Sequence, residues 1–188
     1  MTQEEQNEEQ DLITRACAND MNAFEAIYRR HSGMVYSVAL RITGNASDAE
    51  EATQDVFCSA HQSLKRFRGD SSLKTWLYRI TVNRALNTAK RYKKIRTNEM
   101  FFEGDMSPDD LPNNIDQQLE TTAVQEKAAE LLAALDPDKR ACLTLRAVEG
   151  LSYQEISAAL GININTVRTR LKRAREFLLT LSHNGEKP

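Results

Sequence analysis

Cysteine is scarce in this sequence and poorly placed for chemistry. Its three cysteines, Cys17, Cys58 and Cys142, lie far apart and form no CxxC pair, which excludes a disulfide framework or a zinc site and suits a reducing cytosol. Long hydrophobic runs are missing too. No stretch approaches the roughly 18 apolar residues that span a bilayer, and the first residues, MTQEEQNEEQ, are acidic where a secretory leader is basic. These absences predict a soluble, cytoplasmic protein with no membrane insertion. Histidine is equally sparse. His31, His61 and His183 are scattered without the spacing of a metal site or catalytic triad, so they read as surface or packing residues. No catalytic group, metal or cofactor is expected, and the chain does not read as an enzyme. Strand-like alternation of apolar and polar residues is absent as well, which leaves an all-α fold as the expectation.

Net charge is also low, −2 over 188 residues, and a weak net charge disfavours a nucleic-acid partner. Mapping the charge reverses that conclusion. Residues 64–96 hold eleven basic side chains against a single acid, Asp70. Residues 163–175 add five more (Arg168, Arg170, Lys172, Arg173, Arg175) and no acid. Residues 97–126, by contrast, hold eight acids and no base. Local fields rather than net charge attract phosphates, so the two basic blocks are the candidate nucleic-acid surfaces.

Helical periodicity organises the rest of the sequence. A short helix is expected over Asp11–Cys17. Caps among Asn19–Asn22 open a longer one, whose Phe24, Ile27, Tyr28, Val35, Val38, Ala39 and Ile42 share a face as far as Gly44. Ser47 and Glu50 have capping-box spacing, and Ala49, Ala52, Val56, Ala60 and Leu64 make the buried stripe of the helix they open. Its other side carries Asp48, Glu51, Gln54 and Asp55, and reads either as a solvated surface or as a docking face. FRGDSS, residues 67–72, is a turn. The next helix, Leu73 to about Lys94, buries Leu73, Trp76 or Leu77, Ile80 and Leu86, and presents Thr75, Arg79 and Asn83. Phe67, Trp76 and Tyr78 lie among its cations, the mixture of a single-strand site in which rings stack on exposed bases. Core packing is the rival reading for Phe67 and Trp76. Residues 97–118, with Pro108, Pro112 and no sustained apolar period, read as a flexible acidic linker in which Phe101 and Phe102 stand out. Periodicity resumes at Leu119 and runs to Leu135. Asp136-Pro137 starts another helix, which passes through Ala141, Leu143, Leu145 and Val148 and stops at Glu149-Gly150.

The most legible stretch is Leu151–Arg175, LSYQEISAALGININTVRTRLKRAR. Ser152 and Glu155 form a capping box, Ile156, Ala159 and Leu160 share one face, and Gly161 can take the left-handed conformation that ends a helix. Asn163 caps a second helix, with Ile164, Val167, Leu171, Ala174 and Leu178 as its buried stripe. The opposite face presents Asn165, Thr169, Lys172 and Arg173, flanked by Thr166, Arg168 and Arg170. Two short helices across a tight turn, the second basic on its outer side, suit the major groove of a duplex. A solvated basic hairpin is the plainer alternative.

In this order, DAEEATQDVF, FRGDSSLKTWLYRITVNRALN, a linker and LDPDKRACLTLRAVEGLSYQEISAALGININTVRTRLKRARE resemble a bacterial RNA polymerase sigma factor of the extracytoplasmic-function (ECF) type, over most of residues 20–180. The resemblance implies two small helical domains joined by the acidic linker: a region 2 domain over 11–96, the linker over 97–118, and a region 4 domain with the helix-turn-helix over 119–183. It implies core RNA polymerase as a partner, docked on Glu51, Gln54 and Asp55. It also implies promoter DNA, both as duplex and as melted non-template strand. Phe67, Arg68, Gly69, Asp70 and Ser71 match the family's pocket loop for a flipped minus-10 base, and Trp76 its wedge, with Arg79 and Asn83 beside it. Arg168, Thr169, Lys172 and Arg173 match the minus-35 reading face, with Asn165 and Thr166 at the start of the same helix. An anti-sigma factor is the implied regulator. The alternative is a helix-turn-helix activator or repressor that binds duplex DNA without melting it, which leaves the aromatic basic block and the docking acids without a task.

Overall fold

The computed structural model describes residues 3–99 and 123–184. Among them are eight α-helices and no strand: α1 (Gln3–Cys17), α2 (Met21–Thr43), α3 (Ala46–Ser63), α4 (Leu73–Glu99), α5 (Ala123–Ala133), α6 (Pro137–Ala147), α7 (Tyr153–Leu160) and α8 (Ile164–Asn184), with a 3-10 turn at Leu64–Arg66.

Local chemistry sets the helix ends. Asp20 accepts from the amides of Asn22 and Ala23 at 2.9 and 3.2 Å, while Arg15 holds its other oxygen at 2.8 Å, which fixes the α1–α2 turn. Those contacts keep the Asp20 carboxyl below its ordinary pKa, the Arg15 hydrogen bond being the largest cause. Gly44 ends α2 in the left-handed conformation, φ 75°, its N–H donating to Leu40 O. Asp136 accepts from Asp138 N at 3.1 Å, with Pro137 in the first turn of α6. The capping box of α7 is complete: Ser152 N donates to Glu155 Oε2 at 2.7 Å and Glu155 N to Ser152 Oγ at 3.2 Å. Gly161 closes α7 at φ 63°.

Several sequence expectations are corrected. The expected Ser47–Glu50 capping box does not form, because Asn45 is the cap of α3: it lies in extended backbone right after the left-handed Gly44 and accepts from Asp48 N at 3.0 Å. That places Ser47 inside the first turn. Helix α1 begins at Gln3 rather than near Asp11, with acidic residues favoured in its N-terminal turns. Tyr28 is 44% exposed and Val148 48%, so neither belongs to the buried face; the Tyr28 ring lies edge-on to Phe57 at 4.7 Å. In α4 it is Leu77 that is fully buried, with Trp76 only partly covered. Helix α4 runs to Glu99, past its expected end near Lys94 and into the first residues of the expected linker. The remainder of the expected linker, including Phe101 and Phe102, and the resumption of periodicity at Leu119 lie outside the described residues.

Two cores result. Ile13, Ile27, Val35, Val56, Leu64, Leu73 and Leu77 bind α1–α4 into a bundle. The second core crosses the chain: Val38, Ile42, Tyr78, Val82 and Leu86 pack with Cys142, Leu145, Leu151, Ile156, Val167 and Leu171. Its polar centre is Arg140, a buried cation that the sequence presents as an ordinary surface residue. Arg140 Nη1 donates to Ile42 O at 2.9 Å, and Nη2 to Ala133 O and Leu135 O at 2.7 and 3.0 Å. It thereby answers carbonyls left open at the ends of α2 and α5. Burial lowers the Arg140 pKa, Asp136 opposing it, and an arginine starts high enough to stay charged.

Candidate nucleic-acid interface

Three surfaces carry the residues singled out from the sequence. On α3, the apolar positions Ala49, Ala52, Val56, Phe57 and Ala60 turn inward, which leaves Glu51, Gln54 and Asp55 exposed on the other side. Asp55 Oδ2 lies 3.9 Å from Arg84 Nη1 of α4, and Arg84 Nη2 donates to Ser59 Oγ at 2.9 Å. Sequence reasoning gave Arg84 no role at this acidic face; nothing in one chain's spacing reports a contact between two helices.

The second surface is the loop and first turns of α4. Phe67 N donates to Leu64 O at 2.9 Å as the 3-10 turn closes, and Arg68, Gly69, Asp70 and Ser71 follow as an exposed loop. Gly69 has φ 74°, a conformation that a side chain disfavours. Ser72 then caps α4 by accepting from Thr75 N at 3.1 Å. Phe67 and Trp76 pack on each other at 5.4 Å between ring centroids, tilted by 54°, and both rest against the first core while keeping part of their surface in solvent. Each ring is thus packed on one side and open to solvent on the other. Arg79 and Asn83 are exposed and follow Trp76 at steps of three and four, so the three form one stripe along α4. Tyr78 is different. It is buried, its hydroxyl donates to Glu149 Oε2 at 2.5 Å, and burial followed by that hydrogen bond raises its pKa.

The third surface is α8. Val167, Leu171 and Ala174 are buried, and Asn165, Thr166, Arg168, Thr169, Lys172 and Arg173 are all exposed. Asn163 caps the helix by accepting from Asn165 N at 2.8 Å. Arg168 Nη1 donates to Asn165 Oδ1 at 3.0 Å, which orients its guanidinium along the face rather than away from it. A shallow depression lined by Arg146, Ser152, Tyr153, Gln154, Ile164 and Arg168 adjoins this face. Arg146 stacks over Tyr153 at 5.4 Å and donates to Leu151 O at 2.8 Å. This stacked cation lies outside both basic blocks, so charge counting passed over it.

Profiles of two protein families match the chain: Sigma-70 region 2 over residues 27–95 and Sigma-70 region 4 over residues 125–178. The RNA polymerase sigma-H factor of Pseudomonas aeruginosa is 32% identical over 92% of this chain and 93% of its own length. The ECF RNA polymerase sigma-E factor of Escherichia coli K12 is 33% identical over 93% of this chain and 94% of its own. The chain belongs to the ECF family of RNA polymerase sigma factors. Its function is that of the family, to direct transcription initiation. The fold agrees: the sigma factor RpoE of Bartonella quintana, solved in complex with the anti-sigma factor NepR, superposes with a TM-score of 0.64 at 24% identity, covering 85% of this chain and 96% of that one.

For this sigma factor the helix-turn-helix regulator without melting activity is not favoured, because the region 2 match takes in the acidic face of α3 and the aromatic stripe of α4. The two matches divide the three surfaces between them: the α3 face and the α4 stripe fall in region 2, the α8 face in region 4. Among the described residues no helix is long and apolar enough to cross a membrane, and no group of histidine, cysteine and acidic side chains is arranged to hold a metal.

Proposed function

We propose that residues 11–96 form the unit that docks on core RNA polymerase and opens the minus-10 element, that 119–183 form the unit that reads the minus-35 element, and that 97–118 link them. The observation that carries this reading is the separation of three exposed surfaces of different chemistry, two on the first unit and one on the second. Exposed carboxylates at Glu51 and Asp55, with Gln54 between them, suit a basic partner surface, and we assign the polymerase to it. In the loop Phe67, Arg68, Gly69, Asp70 and Ser71, the last four are exposed beside partly covered Phe67 and Trp76, an arrangement suited to receiving an unstacked base while Arg79 and Asn83 follow the strand. On α8, Arg168, Lys172 and Arg173 supply phosphate and base-edge donors, with Asn165, Thr166 and Thr169 between them.

On this reading the chain works by binding, with no bond chemistry of its own and no cofactor, and acts in the cytoplasm, where polymerase meets the chromosome. Phosphate contacts give salt-dependent affinity. Holding two weak sites on one polymerase raises the effective concentration of each. A partner of the anti-sigma class fits the same logic, since a protein that grips both units withholds both from the promoter. Permanganate footprinting of the reconstituted holoenzyme on a promoter fragment tests the proposal. Protection upstream together with reactive thymines near the start site is the expected pattern; upstream protection with no reactive thymine at any temperature refutes the assignment of melting to this chain.

A further inference from the structure

A cation beside the polymerase-docking acids comes from the basic block. Glu51, Asp55 and Ser59 follow one another at steps of four, which lines them along one edge of α3, and that helix packs against α4. From α4, Arg84 reaches across to this row. Its Nη2 donates to Ser59 Oγ at 2.9 Å, and its Nη1 stands 3.9 Å from Asp55 Oδ2, close enough to attract and too long for a hydrogen bond. The two ends of one guanidinium are thus divided between a neutral acceptor that fixes its aim and a carboxylate that holds its charge. Both members of the ion pair stand in water, Arg84 at 48% exposure and Asp55 at 55%. By sequence Arg84 is one of the eleven cations of residues 64–96, which read as a nucleic-acid surface. By position it serves the acids of α3.

We propose that Arg84 is a built-in competitor for the polymerase-docking face: it occupies Asp55 in the unbound chain, and a cation of the polymerase must displace it. The inference rests on the assignment of Glu51, Gln54 and Asp55 to the polymerase. Glu51 and Asp55 are like charges one turn apart on one helix, an arrangement that costs stability, and a cation beside Asp55 relieves their repulsion until a basic partner takes over that task. The contact is also made to be exchanged. It is exposed and lacks a direct hydrogen bond, so a partner that offers Asp55 a charge-assisted hydrogen bond displaces it. An exposed ion pair of this kind holds its carboxylate for roughly half to four-fifths of the time. Only the remaining fraction is free to meet a partner, which lowers the apparent affinity for polymerase about two- to fivefold. Steering is blunted in the same sense, because a cation set among the acids weakens the negative potential that draws a basic surface in. Arg84 thereby sets how readily this chain captures polymerase, and it does so without touching DNA.

The test titrates full-length chain, labelled at its N-terminal amine, with purified core polymerase and reads binding by fluorescence anisotropy. Arg84→Gln should bind about two- to fivefold more tightly than the wild type. Arg84→Lys keeps the charge and should return most of the way to the wild-type affinity; a gain as large as that of Arg84→Gln overturns the role given to the charge. The pairing itself is read from a double-mutant cycle. In an Asp55→Asn background Arg84→Gln should bring no comparable gain. An equal gain in both backgrounds assigns the effect to the loss of a positive charge anywhere on the chain and overturns the proposal. Weaker binding by Arg84→Gln overturns it too, since Arg84 then contacts the polymerase instead of competing with it. The same cycle separates the two levels of the argument. If Asp55→Asn alone leaves the affinity unchanged, the docking assignment fails and the proposal falls with it. If Asp55→Asn weakens binding while Arg84→Gln does not tighten it, the docking face stands and the competitor alone is refuted.

Discussion

Replacing Arg140 by methionine isolates one buried cation and asks how much of the fold it holds. The guanidinium makes three hydrogen bonds, to Ile42 O at 2.9 Å, Ala133 O at 2.7 Å and Leu135 O at 3.0 Å. A hydrogen bond from a charged donor contributes roughly 1.5–3 kcal/mol net. Three of them are offset by the several kcal/mol that burying a guanidinium costs, and methionine retains the packing of the stem. The variant leaves the buried carbonyls of Ile42 and Leu135 and the partly buried one of Ala133 without their donor, so we expect a loss of about 3 kcal/mol in total. For a chain of this length each kcal/mol lowers Tm by roughly 2–4 °C, which puts the expected fall at about 6–12 °C. Thermal melts followed by far-ultraviolet circular dichroism and by tryptophan fluorescence measure it. Arg29→Met is the control: Arg29 is exposed and pairs with Glu25 one turn away at 2.6 Å, and its loss should stay within about 0.5 kcal/mol. Equal effects of the two substitutions refute the argument that Arg140 answers the helix ends.

Four further outcomes are expected. Trp76→Ala should reduce open-complex formation, read by permanganate reactivity, far more than closed-complex affinity; an equal loss of both assigns the ring to packing alone. Arg173→Ala should weaken promoter binding by about 1–3 kcal/mol if it meets a base edge, and an unchanged affinity removes it from the reading face. Asp55→Arg should weaken association with core polymerase while changing stability by less than about 0.5 kcal/mol; normal holoenzyme formation contradicts the docking assignment. His31 is buried beside Glu9 at 3.4 Å, and burial lowers its pKa from 6.5, with Glu9 opposing and Arg30 and Lys74 reinforcing the fall. Because the folded value lies below the unfolded one, its contribution to stability is present above pH 6.5 and is lost as pH falls through the folded pKa. His31→Gln should flatten that part of a stability–pH curve, and an unchanged slope shows that other groups cause it.

What could be read from the sequence was what local chemistry decides. Ser152 and Glu155 are three residues apart and meet in the folded chain because nothing beyond their own turn is needed. The outer face of α8 was legible for the same reason: a single buried stripe of Val167, Leu171 and Ala174 leaves the other positions in water. Helix α4 was harder. It is covered from two directions, by α2 and α3 on one side and by α6 and α7 on another, so its buried set widens to include Tyr78, Val82 and Ala85, and a one-stripe pattern splits Trp76 from Leu77 poorly. Ser47 reads as the cap from its spacing to Glu50, because the left-handed turn at Gly44, which sets the backbone of Asn45, is not visible from cap spacing. Arg140 was hidden by its type, since charged residues read as surface until their partners are known. The two family matches supplied the division of the chain into region 2 and region 4, which the helices alone do not state.

Run-off transcription with purified core polymerase on a library of promoter fragments tests the central claim most directly. The account predicts discrete transcripts from a subset of fragments that appear only when this chain is added, and that vanish with charge reversal on α8 (Arg168→Glu, Arg173→Glu) although the polymerase is still bound. Transcription that is unaffected by adding the chain, or fragments bound by the chain but never opened in the presence of polymerase, contradicts it.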